Sequence, residues 1–417
     1  MGTTRILWHN GRAVLADCVK DFACCGRVGH NADMSSELRH IAVCLHVASP
    51  AFATQVSRGI ARYVNEGAGW STFVRPLAGD GLEPALRRWR GDGLICSVND
   101  AESAAYVRSL EMPLVNVTGR MPTGDVPSVI GDDEAVGRMA AEHFFSRGFR
   151  HFACLGGRRA GFVQHRTEGF TAAVADGGGH LCEPLETDEL DRLIWPRQLE
   201  HLGRWLKQMP KPVGLFAIFD ALGHTVLDAC KQEGLRVPED VAVLGVDNDP
   251  IFCELSHPPL SSISQALDRR GYTAAALLDR LIDGESPPAE ALCIPPDGVV
   301  ERRSTDVYAT ADEGVRAALR YISDHRGEHI GVDDVAKAVH MSRRNLERRF
   351  RHALGRTVYD QLRHTRLETA KALLTDTAKP LLDVALDSGF YSSSDLSNAF
   401  RRHLGMTPSQ YRQRYGR

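Results

Sequence analysis

The last quarter of the chain repeats itself, and no other feature constrains the fold as strongly. Phe350-Arg-His-Ala-Leu-Gly-Arg-Thr357 aligns with Phe400-Arg-Arg-His-Leu-Gly-Met-Thr407 at an offset of 50. Ser342 and Leu346 match Ser392 and Leu396 at the same offset. Asp334-Val335-Ala336 matches Asp383-Val384-Ala385 at an offset of 49, so the second copy is one residue longer in its turn. Self-similarity at a fixed offset means one supersecondary unit made twice. In each unit a first helix carries a small residue, Ala336 or Ala385, where two helices must approach closely. A turn follows, and Gly389 permits left-handed backbone in the second copy. Ser342 and Ser392 predict the N-caps of a second helix, with Asp395 completing a variant capping box. Leu346 with Phe350, and Leu396 with Phe400, are spaced to anchor that helix on one face.

Such a unit leaves the opposite face of its second helix open. Charge says what that face meets. Residues 307–417 carry a net charge of +6, while the preceding residues carry −9. A basic tail on an acidic body predicts nucleic-acid binding by one end only. Residues 313–414 resemble the AraC family of transcription regulators, through the paired units and the ending Gly389-Phe390, Phe400, Gly405, Thr407-Pro408 and Tyr411-Arg412. The resemblance implies that both second helices enter major grooves of double-stranded DNA. It assigns base contacts to Arg344, Glu347 and Arg348, with Arg343 and Asn345 nearby. In the second unit it assigns Ser393, Ser394, Asp395 and Asn398; Arg401 and Arg402 are expected on the backbone there. Arg pairs bidentately with guanine and Glu accepts from cytosine. The serine-rich second helix has less electrostatic pull, so the first unit is expected to carry most discrimination.

From Arg39 to Thr305 short apolar runs alternate with amphipathic stretches. The runs are IAVCLH (41–46), STFVRP (71–76), GLICSV (93–98), PLVNV (113–117), HFACLG (151–156), GLFAIF (214–219) and VAVLGV (241–246). Near-continuous apolar strands separated by helices predict parallel sheets covered on both faces. The length predicts two lobes with a ligand crevice at the strand ends. The segment 129–157, HRTEGF (165–170), VPEDVAVLGVDNDP (237–250) and LSSISQ (260–265) resemble the periplasmic-binding-protein-like core of LacI-type repressors. The expected architecture is therefore an α/β two-lobed sensor domain over 39–305, a linker over 306–311, and an all-α domain with two helix-turn-helix motifs over 312–417. Residues 1–38 show no sustained period and are expected to be a disordered extension.

A sugar site needs carboxylates, guanidinium or amide groups to bracket hydroxyls, and an aromatic face for C–H surfaces. The candidates at strand ends are Asp247, with Asn248 beside it, Asp220, and Asp132 or Asp133 after the short SVI strand. Arg166 and Asp247 match ligand-touching positions of LacI-type proteins, as that resemblance implies. Phe52 is expected in the turn after the first strand. Each has an ordinary alternative: Asp132 and Asp220 as helix caps, Phe52 as core, Arg166 in a structural ion pair.

The resemblances together imply a sugar-responsive activator of pentose (xylose) catabolism genes, a homodimer in contact with RNA polymerase. The alternative is a sugar-processing enzyme fused to a DNA-binding tail. No HExxH, GxSxG, P-loop or CxxC motif points to an enzyme, and no cofactor or metal is expected. Gly156-Gly157-Arg-Arg-Ala-Gly161 lacks the spacing of a dinucleotide loop. Cys18, Cys24, Cys25 and His30 match no standard zinc pattern. All ten cysteines precede residue 300, and those in strand-like runs, Cys44, Cys96 and Cys154, are expected as buried reduced thiols. No run suits a secretion signal or a membrane span, so a cytoplasmic, nucleoid-associated protein is expected.

Overall fold

The computed structural model describes residues 38–46, 50–77, 82–119, 124–156, 161–185, 195–310 and 312–415. The expected extension, and the four residues considered for zinc, lie outside them.

The first lobe is built on a parallel sheet in the order β2-β1-β3-β4. Its strands are β1 (Arg39–Cys44), β2 (Trp70–Val74), β3 (Gly93–Cys96) and β4 (Leu114–Asn116). Helix α1 (Pro50–Asn65) covers one face, with α2 (Leu82–Leu86) and α3 (Ala101–Arg108) on the other. Beyond β4 the chain passes through β5 (Val129–Gly131) into the second lobe. That lobe opens with α4 (Asp133–Ser146), β6 (His151–Leu155), α5 (Phe162–Asp176) and β7 (His180–Leu181). It continues through α6 (Trp195–Gln208), β8 (Val213–Ala217), α7 (Asp220–Gln232), β9 (Val241–Val246), α8 (Pro250–Leu255) and β10 (Ser261–Ser264).

The chain then returns to the first lobe as α9 (Leu267–Ile282), which packs on α1. It crosses back through β11 (Leu292–Ile294), paired with β5, into β12 (Gly298–Val300). The second sheet has the order β12-β10-β9-β8-β6-β7, parallel except for β12. Buried side chains line both faces of both sheets, which is why the central strands read as unbroken apolar runs. The seven described cysteines are free, and Cys44, Cys96 and Cys154 are buried in these strands as expected.

The seven expected strands are all present. β7, β10, β11, β12 and a 3₁₀ turn over Arg303–Thr305 were not anticipated. β12 and the turn fall in a stretch whose polar residues mask the pattern. Ser261, Ser304 and Thr305 are fully buried there, and hydrogen-bond one another.

Beyond Asp306 every element is helical. The first unit comprises α10 (Glu313–Asp324), α11 (Val332–Ala338) and α12 (Arg343–Leu354). Helix α13 (Val358–Asp376) joins it to α14 (Leu381–Asp387), α15 (Ser393–Leu404) and α16 (Pro408–Tyr415). Ser342 and Ser392 cap α12 and α15 as expected, each accepting from an amide three residues on. The capping box expected at Ser392 forms only by half. Asp395 supplies that amide, and its carboxylate makes no return bond among the described residues. Full boxes start the following helices instead, at Thr357 with Asp360 and at Thr407 with Gln410. Leu346, Phe350, Leu396 and Phe400 are wholly buried, and Ala336 and Ala385 sit beneath them. The left-handed turn residue of the second unit is Gly389 at φ 80°, and its counterpart in the first is His340 at φ 54°.

Candidate ligand cleft and nucleic-acid interface

The cleft forms where β9 ends. Its last residue is followed by Asp247 at φ 106° and Asn248 at φ 51°. The crossing from β10 to α9 holds Ala266 at φ 54°. These are three of the four non-glycine residues with positive φ among the described residues, and the fourth is His340. Such backbone costs about 1–3 kcal/mol per residue and persists where the surroundings hold it.

Side chains from both lobes converge on that strand end. From the second lobe, Arg166 is 4 % exposed, and its Nε lies 2.8 Å from Asp133, itself 8 % exposed. Arg166 also donates to the Ile218 carbonyl at 2.5 Å, and Phe162 lies under its guanidinium at 4.8 Å. The pairing follows from the close approach of α4 and α5: a Cβ on Gly137 would collide with the Arg166 carbonyl. From the first lobe, Gln265 donates to the Asp247 carboxylate, and Gln55 to the Asp247 carbonyl at 3.4 Å. Arg270, 4 % exposed, donates to Gln265 at 3.3 Å and stands 5.8 Å from the Phe52 ring. Among the described residues the Arg270 Nε is buried without a hydrogen-bond partner. Each lobe thus presents one buried guanidinium against one aromatic ring, with Asp247 between them.

Burial dominates the electrostatics. It lowers the Arg270 guanidinium to about 10. It also raises the Asp247 carboxyl, against the opposing pull of Arg166 and Gln265. Asp220 is 1 % exposed and is pushed up to about 8, by burial first and then by Asp247.

Asp220 lies at the start of α7 without a ligand-facing oxygen. One oxygen accepts from Ser262 at 2.6 Å, the other from the Asp249 amide at 2.7 Å and the Cys253 thiol at 3.4 Å. It braces the loop that carries Asp247. Asp132 caps α4 by accepting from the Ala135 amide at 2.9 Å, so of the adjacent pair it is Asp133 that reaches the cleft network. Asn248 accepts from Arg302 at 2.8 Å. Phe52 lies in the first turn of α1 rather than in the turn before it, because that helix already begins at Pro50. Arg270, Gln265, Gln55 and Phe162 escaped the sequence reading. Arg270 sits on an amphipathic helix where arginine ordinarily reads as solvated, and only its register with the buried Gly271 could have betrayed it.

The exposed face of α12 carries Arg344, Glu347, Arg348, Arg351 and His352 around a shallow groove. Their spacing places them on one stripe of the helix. Arg348 also donates to Asn345 at 3.0 Å. Arg343 points aside and pairs with Asp333 of α11 at 3.0 Å. On α15, Ser394, Asp395, Asn398 and Arg402 are exposed, and Ser393 is partly covered. Arg349 is turned inward, its Nε and Nη2 bonded to Asp312, the N-cap of α10. Among the described residues, Glu134, His165 and Glu168 form a cluster of metal-ligand type, but all three are exposed. No described helix is long and apolar enough to cross a membrane.

A two-lobed sensor fold joined to paired helix-turn-helix units, with an arginine stripe outward on the first, defines a DNA-binding transcription regulator. Comparison agrees in both parts: residues 141–305 match the periplasmic binding protein-like domain, and residues 335–414 match a helix-turn-helix domain. The chain belongs to the family of xylose operon regulatory proteins, being 31% identical to that of Escherichia coli K12 over 386 residues, 90% of this chain and 97% of the relative. The Haemophilus influenzae xylose operon regulatory protein is 27% identical over 373 residues, 88% of this chain and 96% of its own. The solved structure of a xylose-binding transcription activator superposes at TM-score 0.58 with 29% identity, covering 92% of this chain and all 100% of that one. A LacI-type regulator from Alkaliphilus metalliredigens, complexed with D-xylulofuranose, shares the sensor fold at TM-score 0.51 and 23% identity, over 63% of this chain and 98% of its own. These relatives are regulators rather than enzymes, and so is this chain.

Proposed function

We propose that the cleft binds a pentose, D-xylose, and that its occupancy controls activation of xylose catabolism genes. The observation that carries this reading is the pairing of Arg166 over Phe162 with Arg270 over Phe52 around Asp247. Two guanidinium groups and a carboxylate bracket vicinal hydroxyls, and the ring faces take C–H surface. Asp133 orients Arg166, Gln265 orients Asp247, and Arg270 Nε offers a buried donor that a hydroxyl would satisfy. Asp220, Asp132 and Asn248 act by positioning the loop and helix that hold these groups.

On DNA, Arg344, Arg348 and Arg351 read bases from α12 in the major groove, with Glu347 among them. Arg343 contributes at the phosphates, since Asp333 draws it off the stripe. Ser393, Ser394, Asp395, Asn398 and Arg402 of α15 make the weaker second contact. The regulator works in the cytoplasm as a homodimer that recruits RNA polymerase, which sets two pairs of reading helices on adjacent sites. A mobility-shift titration of its own upstream region, with and without D-xylose, tests this. The reading expects at least tenfold tighter binding with the sugar. Equal affinity across all common monosaccharides would overturn it.

A further inference from the structure

A hydrogen-bond chain, buried at its centre and half-buried at its ends, leads from the candidate cleft to the linker before the first helix-turn-helix unit. It starts at Asn248, whose amide oxygen accepts from Arg302 at 2.8 Å. The Arg302 amide donates to Ser261 at 2.8 Å, and the Ser261 hydroxyl donates to the Arg302 carbonyl at 3.0 Å. Ser261 also accepts from the Thr305 hydroxyl at 2.8 Å. Thr305 meets His143 Nε2 at 3.0 Å, and His143 Nδ1 meets Arg147 at 3.1 Å. Arg147 reaches the linker, since its carbonyl accepts from the Ala309 amide at 2.7 Å and its Nε donates to the Thr305 carbonyl at 3.0 Å.

Elementary chemistry orders these bonds. A guanidinium only donates, so His143 Nδ1 accepts from Arg147 and Nε2 carries the proton. The Nε2 proton then goes to Thr305, the Thr305 proton to Ser261, and the Ser261 proton to the Arg302 carbonyl. Each hydroxyl donates once, and the chain has one direction. Burial, and then Arg147, hold His143 far below the usual imidazole range, so it stays neutral in this role. Ser261 and Thr305 are wholly buried and His143 nearly so, which leaves water little access to substitute for a broken link.

The far end meets the first DNA-reading unit directly. Arg356, just past α12, donates to the Phe145 carbonyl at the end of α4. Leu354 packs over Gly148, and the Arg150 guanidinium lies over Gly355. Helix α4 itself runs from Asp133 in the cleft to Phe145 at this joint. Arg349 fixes α12 to Asp312 at the linker's end. The reading helix is therefore held by the linker and by the sensor together. The corresponding end of α15, at Leu404 and Gly405, has no such ties to the sensor among the described residues.

We infer that the relay Asn248–Arg302–Ser261–Thr305–His143–Arg147 couples the ligand loop to the orientation of α12 rather than of α15. In this relay the loop of Asp247 and Asn248, held at φ 106° and 51°, is the element whose conformation the ligand shifts. A ligand that engages this loop changes its balance of backbone states, and Asn248 carries Arg302 with it. This rests on the sugar-sensing reading above.

The test uses the full chain and D-xylose as the probe. The readout is the ratio of operator dissociation constants without and with the sugar, alongside the D-xylose affinity of the free protein. Thr305→Val keeps the shape and removes the hydroxyl link. It is expected to bind D-xylose within about threefold of wild type, yet to lose at least fivefold from that ratio. Mutating the half-site read by α12 should abolish the remaining sugar effect, and mutating that read by α15 should not. Arg356→Met at the joint carries the same expectation and stands in if Thr305→Val fails to fold. A wild-type ratio above one that both variants retain overturns the relay alone. A wild-type ratio of one overturns the sugar-sensing reading and the relay with it.

Discussion

The two turn residues, His340 and Gly389, occupy equivalent places in the repeat and hold the same left-handed backbone. Left-handed backbone costs an L-residue about 1–2 kcal/mol, a penalty glycine escapes. His340→Gly should therefore raise stability by up to about 1 kcal/mol, read as a higher urea midpoint with an unchanged slope. Gly389→Ala should lower it by about 1–2 kcal/mol or more, because the added methyl would also stand 2.7 Å from the Glu328 carbonyl. Asp220 offers a second test at this scale. Its carboxyl titrates near 8 in the fold against 3.8 as an isolated group, so between those values the folded protein holds a proton that the unfolded chain has released. Stability should fall as pH rises from about 4 to 8, by at most about 1.4 kcal/mol per pH unit from this group. Asp220→Asn should flatten that part of a stability-against-pH series; an unchanged slope would mean another group sets it.

At the scale of elements, the two halves of the repeat differ in what they can read. Helix α12 turns Arg344 and Arg348 outward where α15 turns out Ser394 and Asn398, while Arg351 and Arg401 are exposed alike in the two. Arg348→Ala is expected to cost about 1–3 kcal/mol in operator binding and to relax preference at one base pair. Arg343→Ala should cost less than about 1 kcal/mol and leave preference intact, since its exposed pair with Asp333 competes with DNA. Binding of randomised operator sets by both variants separates the two outcomes. The long apolar strands, the capping serines and the Leu-Phe anchors were legible because periodicity and burial act locally. The turn after β12 was not, because the buried hydroxyls of Ser304 and Thr305 find partners only across the fold, at the Val243 carbonyl and Ser261. For the same reason Asp247 could be picked from its strand end, while Arg270 and Phe162 could not. Their meaning comes from a strand end more than 20 residues away, or in the other lobe.

On the scale of the whole molecule, three chain crossings join the lobes, and the cleft lies where they gather around β9. An acidic two-lobed body and a basic tail are what charge alone suggested. The structure adds that the tail is seated on the sensor through α4, a helix about 20 Å long that starts in the ligand cleft and ends at the joint with the first DNA-reading unit. Everything in this account depends on Asp247 being the centre of an occupied cleft. Isothermal titration of D-xylose into the full chain and into Asp247→Ala tests it most directly. The account predicts saturable one-site binding to the wild type and a loss of about 1.5–3 kcal/mol, roughly ten- to 150-fold, in the variant. Equal affinity in both proteins, with the variant folded, would contradict it.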